Sequence, residues 1–111
     1  GFEKAKKYFE ELNKEDNIVY YSAVTEVELI SGKECRKIEK KAEIIKILSQ
    51  FSKISVDNRI AVKAGDFRRE CGTAFTDAVI AATAFFMKAN LVTRNVDDYR
   101  KIKEVALKVP Y

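Results

Sequence analysis

The residues best suited to chemistry in this chain are carboxylates. The segment Thr76 to Ile102, TDAVIAATAFFMKANLVTRNVDDYRKI, sets Asp77 at the start of an almost wholly apolar helix. A short apolar run follows, Leu91-Val92-Thr93, and then a polar and acidic cluster of Asn95, Asp97 and Asp98. Helix, strand and acidic turn in that order predict an α/β protein with carboxylates gathered at one edge of a sheet. Carboxylate oxygens are hard ligands that suit Mg²⁺. Such ions serve phosphodiester hydrolysis by polarising the phosphate and acidifying a bound water.

Each carboxylate also has an ordinary explanation. Asp77 is a helix-start residue, favoured there as a cap and by the helix dipole. What sets it apart is the helix behind it: Ala78 to Met87 carries no charge, which predicts burial against the sheet and a first turn at the mouth of a crevice. Glu28 closes a Thr25-x-x-Glu28 capping box. On a helical wheel, Ala23, Val24, Val27 and Ile30 form the apolar face, and Glu26 and Glu28 fall on its opposite margins. Periodicity does not choose between these two glutamates. Asn95, Asp97 and Asp98 read as a turn and cap for the next short helix. In the functional reading they add an oxygen ligand just past a strand end, where Arg94 would meet a phosphate.

Composition narrows the chemistry. The 111 residues include no histidine, which removes imidazole acid–base catalysis, Ser-His-Asp and Cys-His nucleophile systems, and ordinary zinc sites. Cys35 and Cys71 are isolated, as expected of reduced thiols in a cytosolic protein, although spacing alone does not rule out a disulfide between them. The formal charge of +4 is a mild basic excess that fits a polyanionic partner without requiring one. The basic residues fall in three groups: Lys33, Arg36, Lys37, Lys40 and Lys41; Arg59, Lys63, Arg68 and Arg69; and Arg100, Lys101 and Lys103. Most read as solvated helix faces, and those near the carboxylate edge would neutralise RNA phosphates. A small nucleotide-binding α/β domain ranks low, because four scattered glycines form no phosphate loop. No apolar run is long enough to span a bilayer, and GFEKAKKYFEEL mixes acids with bases, unlike a targeting peptide.

The elements that must position these groups follow from periodicity and punctuation. Helices are predicted over 3–13, 22–31 with Gly32 as the stop, 36–51, 57 or 58 to 70 ending before Gly72, 76–88 and 96–103. In the 36–51 helix, Ile38, Ala42, Ile45, Leu48 and Phe51 share one face. Strands are predicted over 18–21, 54–56, 91–93 and 105–109. The alternation points to a parallel sheet with helices on both faces and ligands at the carboxyl ends of the strands. No linker or repeat divides the chain, and one domain over 1–111 is expected.

The pattern resembles the PIN domain nucleases, and most closely the VapC-type toxins of prokaryotic toxin–antitoxin pairs. The likeness spans the chain and is carried by SAVTEVELISG from Ser22, DAVIAATA from Asp77, and LVTRNVDDY from Leu91. It implies a three-layer α/β/α domain with a short parallel sheet. It also implies an endoribonuclease of toxin type, hydrolysing RNA phosphodiester bonds at an acidic Mg²⁺ or Mn²⁺ site. The resemblance selects Glu28 over Glu26 and puts Glu28, Asp77 and Asp98 in the catalytic role. Asn95 joins these three as metal ligands, and Arg94 and Thr25 contact the RNA. A homodimer, an antitoxin partner and a cytoplasmic location are further implications, with no membrane involvement. The family also begins with a central strand ending in an aspartate ligand. Here GFEKAKKYFEEL matches the helix after that strand, so the resemblance implies an N-terminal segment ahead of Gly1. The competing reading is a catalytically inactive relative that binds RNA or an antitoxin without turnover.

Overall fold

The computed structural model describes residues 7, 8, 10, 11, 18–92 and 96–108. The chain is helix-rich α/β with short parallel strands, and it divides into two compact units, Gly1–Ile54 and Ser55–Tyr111. The described strands form two parallel pairs, one in each unit.

In the first unit, residues 7, 8, 10 and 11 are helical, within the segment read as the first helix. Strand β1 (Tyr20–Ser22) leads directly into helix α1 (Ala23–Ile30). A 3₁₀ turn over Lys33–Arg36, helix α2 (Ile38–Leu48) and strand β2 (Ser52–Ile54) complete the unit. β1 and β2 pair in parallel, with Tyr20 opposite Ser52 and Ser22 opposite Ile54. A parallel pair needs a crossover, which α1 and α2 supply.

Local chemistry in this unit departs from the simple pattern in three places. The cap of α1 is the buried Ser22, whose hydroxyl accepts from the Val24 N–H at 3.2 Å, so the Thr25–Glu28 box is not the device that starts the helix. Gly32 is not a left-handed stop: it has extended backbone at φ −64° and precedes the 3₁₀ turn. In α2 the inward residues are Ile44 and Leu48, while Ile38 is 78% exposed and Ala42 and Ile45 face outward. The α2 sequence carries two apolar stripes one residue apart. Periodicity cannot decide which of them meets the rest of the unit.

The second unit contains helix α3 (Asn58–Cys71), helix α4 (Phe75–Met87), strand β3 (Leu91–Val92), the one-turn helix α5 (Val96–Tyr99) and strand β4 (Leu107–Lys108). β3 pairs with β4 in parallel, Leu91 opposite Leu107. Both ends of α3 are coded locally. The Asp57 carboxylate accepts from the Ile60 N–H at 3.0 Å, and Gly72 closes the helix at φ 65°. That backbone hydrogen bond holds the Asp57 carboxyl below its ordinary value; desolvation opposes it, and Arg59 alongside adds to the lowering.

The core of this unit is a helix pair. Ile60, Ala64 and Phe67, spaced at four and three residues, bury one stripe of α3. From α4 come Ala78, Val79, Ala81, Ala82 and Thr83, with the Thr83 hydroxyl satisfied by the Val79 carbonyl at 2.8 Å. The alanines allow close approach, and α4 packs chiefly on α3 rather than on β3. The apolar helix is therefore buried, as its composition predicts, but mainly by another helix. Phe85 meets Phe67 edge to face at 6.4 Å. Beyond α5, Ile102 and Val105 are also buried.

Candidate functional site

Asp77 is the third residue of α4, not its cap. The cap position belongs to Ala74, whose side chain makes no capping bond. Here the carboxylate is tied across the chain instead: the Tyr99 hydroxyl donates to Asp77 Oδ1 at 2.9 Å. Tyr99 is only 4% exposed, whereas Asp77 is half-buried. The other oxygen, Asp77 Oδ2, has no hydrogen-bond partner among the described residues. The unsatisfied N–H groups of a helix start favour negative charge at this position. Four residues earlier, the buried Thr73 hydroxyl has no hydrogen-bond partner among the described residues.

Tyr99 was not singled out by the sequence. In α5 the acids point outward: Asp97 and Asp98 are exposed, and Asp97 pairs with Arg100 at 3.4 Å. Neighbouring helix positions diverge by about 100°, so an exposed Asp98 accompanies an inward Tyr99. The available signal was a tyrosine at the apolar position of a short helix, since a buried phenol needs a partner for its hydroxyl. Thr93, Arg94 and Asn95 lie outside the described residues.

In the first unit, Thr25 and Glu28 both lie on α1, Thr25 half-buried in the first turn and Glu28 exposed. Glu28 makes no hydrogen bond or ion pair among the described residues. Glu26 is engaged, its carboxylate 3.2 Å from the Lys53 ammonium on β2. The structure thus separates two glutamates that the helical wheel left equivalent, one paired and one uncommitted.

The basic residues of α3 are largely committed within the second unit. Arg59 pairs with Asp57 at 3.4 Å and lies 4.9 Å over the Phe86 ring. Lys63 reaches Glu104 at 2.8 Å and sits 4.5 Å over Phe85. Arg69 binds Asp66 and Glu70, and Arg68 lies over Phe75 at 5.8 Å. Asn58, Arg59, Val62, Lys63, Asp66 and Phe86 line a shallow open groove there. Cys35 and Cys71 are free thiols.

Among the described residues, no three His, Cys, Asp or Glu side chains gather to hold a metal ion. The donor chemistry that is present suits a hard cation. Asp77 has one carboxylate oxygen without a partner among the described residues, and its other oxygen has the kind of outer hydrogen-bond donor that orients ligating carboxylates in metal sites.

Comparison with known proteins gives a consistent picture. The PIN domain family model matches residues 1–105. A toxin–antitoxin complex from Klebsiella pneumoniae contains a chain 28% identical, aligned over 86% of this chain and 74% of that one with a TM-score of 0.70. VapBC2 from Rickettsia felis, solved bound to a DNA fragment from its promoter, is similar at 21% identity, 96% and 85% coverage and a TM-score of 0.75. VapBC-1 from nontypeable Haemophilus influenzae is similar at 19% identity, 93% and 84% coverage and a TM-score of 0.76. These last two are likenesses of fold. No curated protein matches the chain.

Proposed function

The chain belongs to the PIN domain family, and from that premise we propose that it is a metal-dependent endoribonuclease of toxin type. The observation that carries this reading is Asp77, held by Tyr99 through one oxygen and without a partner at the other among the described residues, in a chain whose family match covers residues 1–105. Glu28, Asp77, Asp98 and Asn95 would hold Mg²⁺ or Mn²⁺. The chemistry such a cation would supply is polarisation of the scissile phosphate and acidification of a water. Asp77 keeps a fixed direction through its bond to Tyr99. Arg94 and Thr25 contact the RNA backbone, positioning the strand without reading its bases. With no histidine in the chain, proton transfer falls to carboxylates and water.

The three similar complexes support a protein antitoxin as partner. We assign the whole of 1–111 to one PIN-like domain that acts as a homodimer in the cytoplasm. No helix among the described residues is long and apolar enough to cross a membrane.

A second reading is a PIN-like domain that binds RNA or an antitoxin without turnover. It is favoured by the exposure of Asp98 on α5, the carboxylate expected to complete the site. Cleavage of single-stranded RNA, titrated with Mg²⁺ and Mn²⁺, separates the two. The nuclease gives metal-dependent product that Asp77→Asn abolishes while the melting temperature stays equal or rises. Retained cleavage in Asp77→Asn rejects the mechanism, and RNA binding with no product at any metal concentration selects the second reading.

A further inference from the structure

We propose that Tyr99 is a positioning residue for Asp77, fixing one carboxylate oxygen so that the other is presented to a divalent cation. This inference rests on the reading of Asp77 as a metal ligand. Its basis is a hydrogen bond between residues 22 positions apart, from the Tyr99 hydroxyl to Asp77 Oδ1 at 2.9 Å. The donor has little freedom. Its ring is buried, and the chain beyond it is fastened by buried Ile102 and Val105. The acceptor has a rotatable carboxylate on the first turn of α4, and Ala74 provides no competing side-chain cap there.

Phenylalanine would fill the same apolar space, so packing does not explain the oxygen. A phenol hydroxyl that reaches out of a buried position to a half-buried carboxylate removes one rotational freedom from it. The bond also lowers the cost of holding the carboxylate in a single orientation before the cation arrives. Outer partners of this kind orient ligating groups, and their loss typically weakens metal binding by about 10–100-fold. Asp98, the carboxylate singled out from the same short segment, is exposed. On this inference the tyrosine beside it contributes by holding Asp77, not by ligating the cation itself.

The test uses the full-length protein and Mn²⁺ as the probe, with affinity read by calorimetry or by the loss of the free-ion paramagnetic resonance signal. Wild type, Tyr99→Phe and Asp77→Asn are compared. Tyr99→Phe should weaken Mn²⁺ binding by about 10–100-fold. Its metal-free melting temperature should stay close to wild type, with a smaller rise on adding Mn²⁺. Asp77→Asn should lose the site. Wild-type affinity in Tyr99→Phe, with binding lost in Asp77→Asn, overturns this inference alone. A metal-free Tyr99→Phe protein that loses its fold by circular dichroism overturns it too, in favour of a purely structural tie. Equal binding by Asp77→Asn, or none by wild type, removes the reading of the site and this inference with it.

Discussion

The two units present their candidate carboxylates in opposite ways. In the second, Asp77 stands at the head of a helix with five buried residues and is held by a buried tyrosine. In the first, Glu28 rides on an eight-residue helix with no buried residue, exposed and without a partner among the described residues. The nearby glutamate of that helix, Glu26, is the one engaged by Lys53. The contrast teaches that preorganisation is unevenly spread. The Tyr99 hydroxyl sets the orientation of Asp77 in advance, whereas on the proposed function Glu28 would be ordered only on binding, at a cost in side-chain entropy. The helices behind them differ in the same sense. α3 and α4 interlock through a stripe of alanine, isoleucine and phenylalanine, while α2 leaves half of its isoleucines in water.

The largest expected effect tests the carboxylates themselves. Asp77→Asn should reduce metal-dependent RNA cleavage by at least about 100-fold, on the scale of losing one preorganised electrostatic group. Glu28→Gln should fall with it. Glu26→Gln should leave cleavage near wild type, because an exposed pair with Lys53 is worth about 0–1 kcal/mol. Parallel rate measurements on the three variants decide the matter, and equal losses from Glu26→Gln and Glu28→Gln would erase the distinction drawn here.

The next effect is on stability. Ile60, 1% exposed on α3, should cost about 2–5 kcal/mol when cut to alanine. Ile45, 48% exposed on α2, should cost only about 1 kcal/mol, because half of its surface stays in water and its truncation leaves no enclosed cavity. Urea unfolding monitored by circular dichroism measures both, and similar losses would mean that the two helices are packed alike.

Smaller again is the pair of helix ends. Gly72 closes α3 at φ 65°, and Lys88 closes α4 at φ 52° with a side chain that disfavours that conformation. Gly72→Ala should cost about 1 kcal/mol and Lys88→Gly should gain up to about 1 kcal/mol. The same unfolding experiment reads the sign of each.

The smallest is an acid effect at the start of α3. The Asp57 carboxyl is held below its ordinary value chiefly by the Ile60 N–H, so it binds protons more weakly in the folded chain than in the unfolded one. Its contribution is present above the usual carboxylate range and is lost as pH falls through the lowered value. Asp57→Asn keeps an acceptor without the charge and should flatten that part of the melting-temperature profile between neutral and acid pH. An unchanged profile would remove the cap from the account.

Several of these features were legible in the residues. α3 was bounded closely because Asp57 and Gly72 act on their own neighbours, and α4 because an uncharged run of that length has few other uses. The start of α1 at Ser22 is legible, but the hydroxyl that caps it is not. Ser22 and Thr25 both offer a hydroxyl, and which one meets an orphan N–H depends on where β1 ends. The face of α2 was misread because two apolar stripes overlap in Ile38-x₃-Ala42 and Ile44-x₃-Leu48. The spacing displays a row of acids, but not the contact that Tyr99 makes with one of them.

The sequence by itself determined the composition of the chemistry: carboxylates without histidine, an apolar helix behind Asp77, and motifs whose family match now covers residues 1–105. Short-range rules sufficed for this, since caps, stops and periodic faces act over one or two turns of chain. Only the tertiary structure decided that Glu26 pairs with Lys53 while Glu28 has no partner among the described residues, that Ile44 rather than Ile45 points inward, and that Tyr99 reaches Asp77. Each of those outcomes depends on which distant segment packs alongside, and a hydrogen bond spanning 22 positions leaves no periodic trace in the chain that makes it.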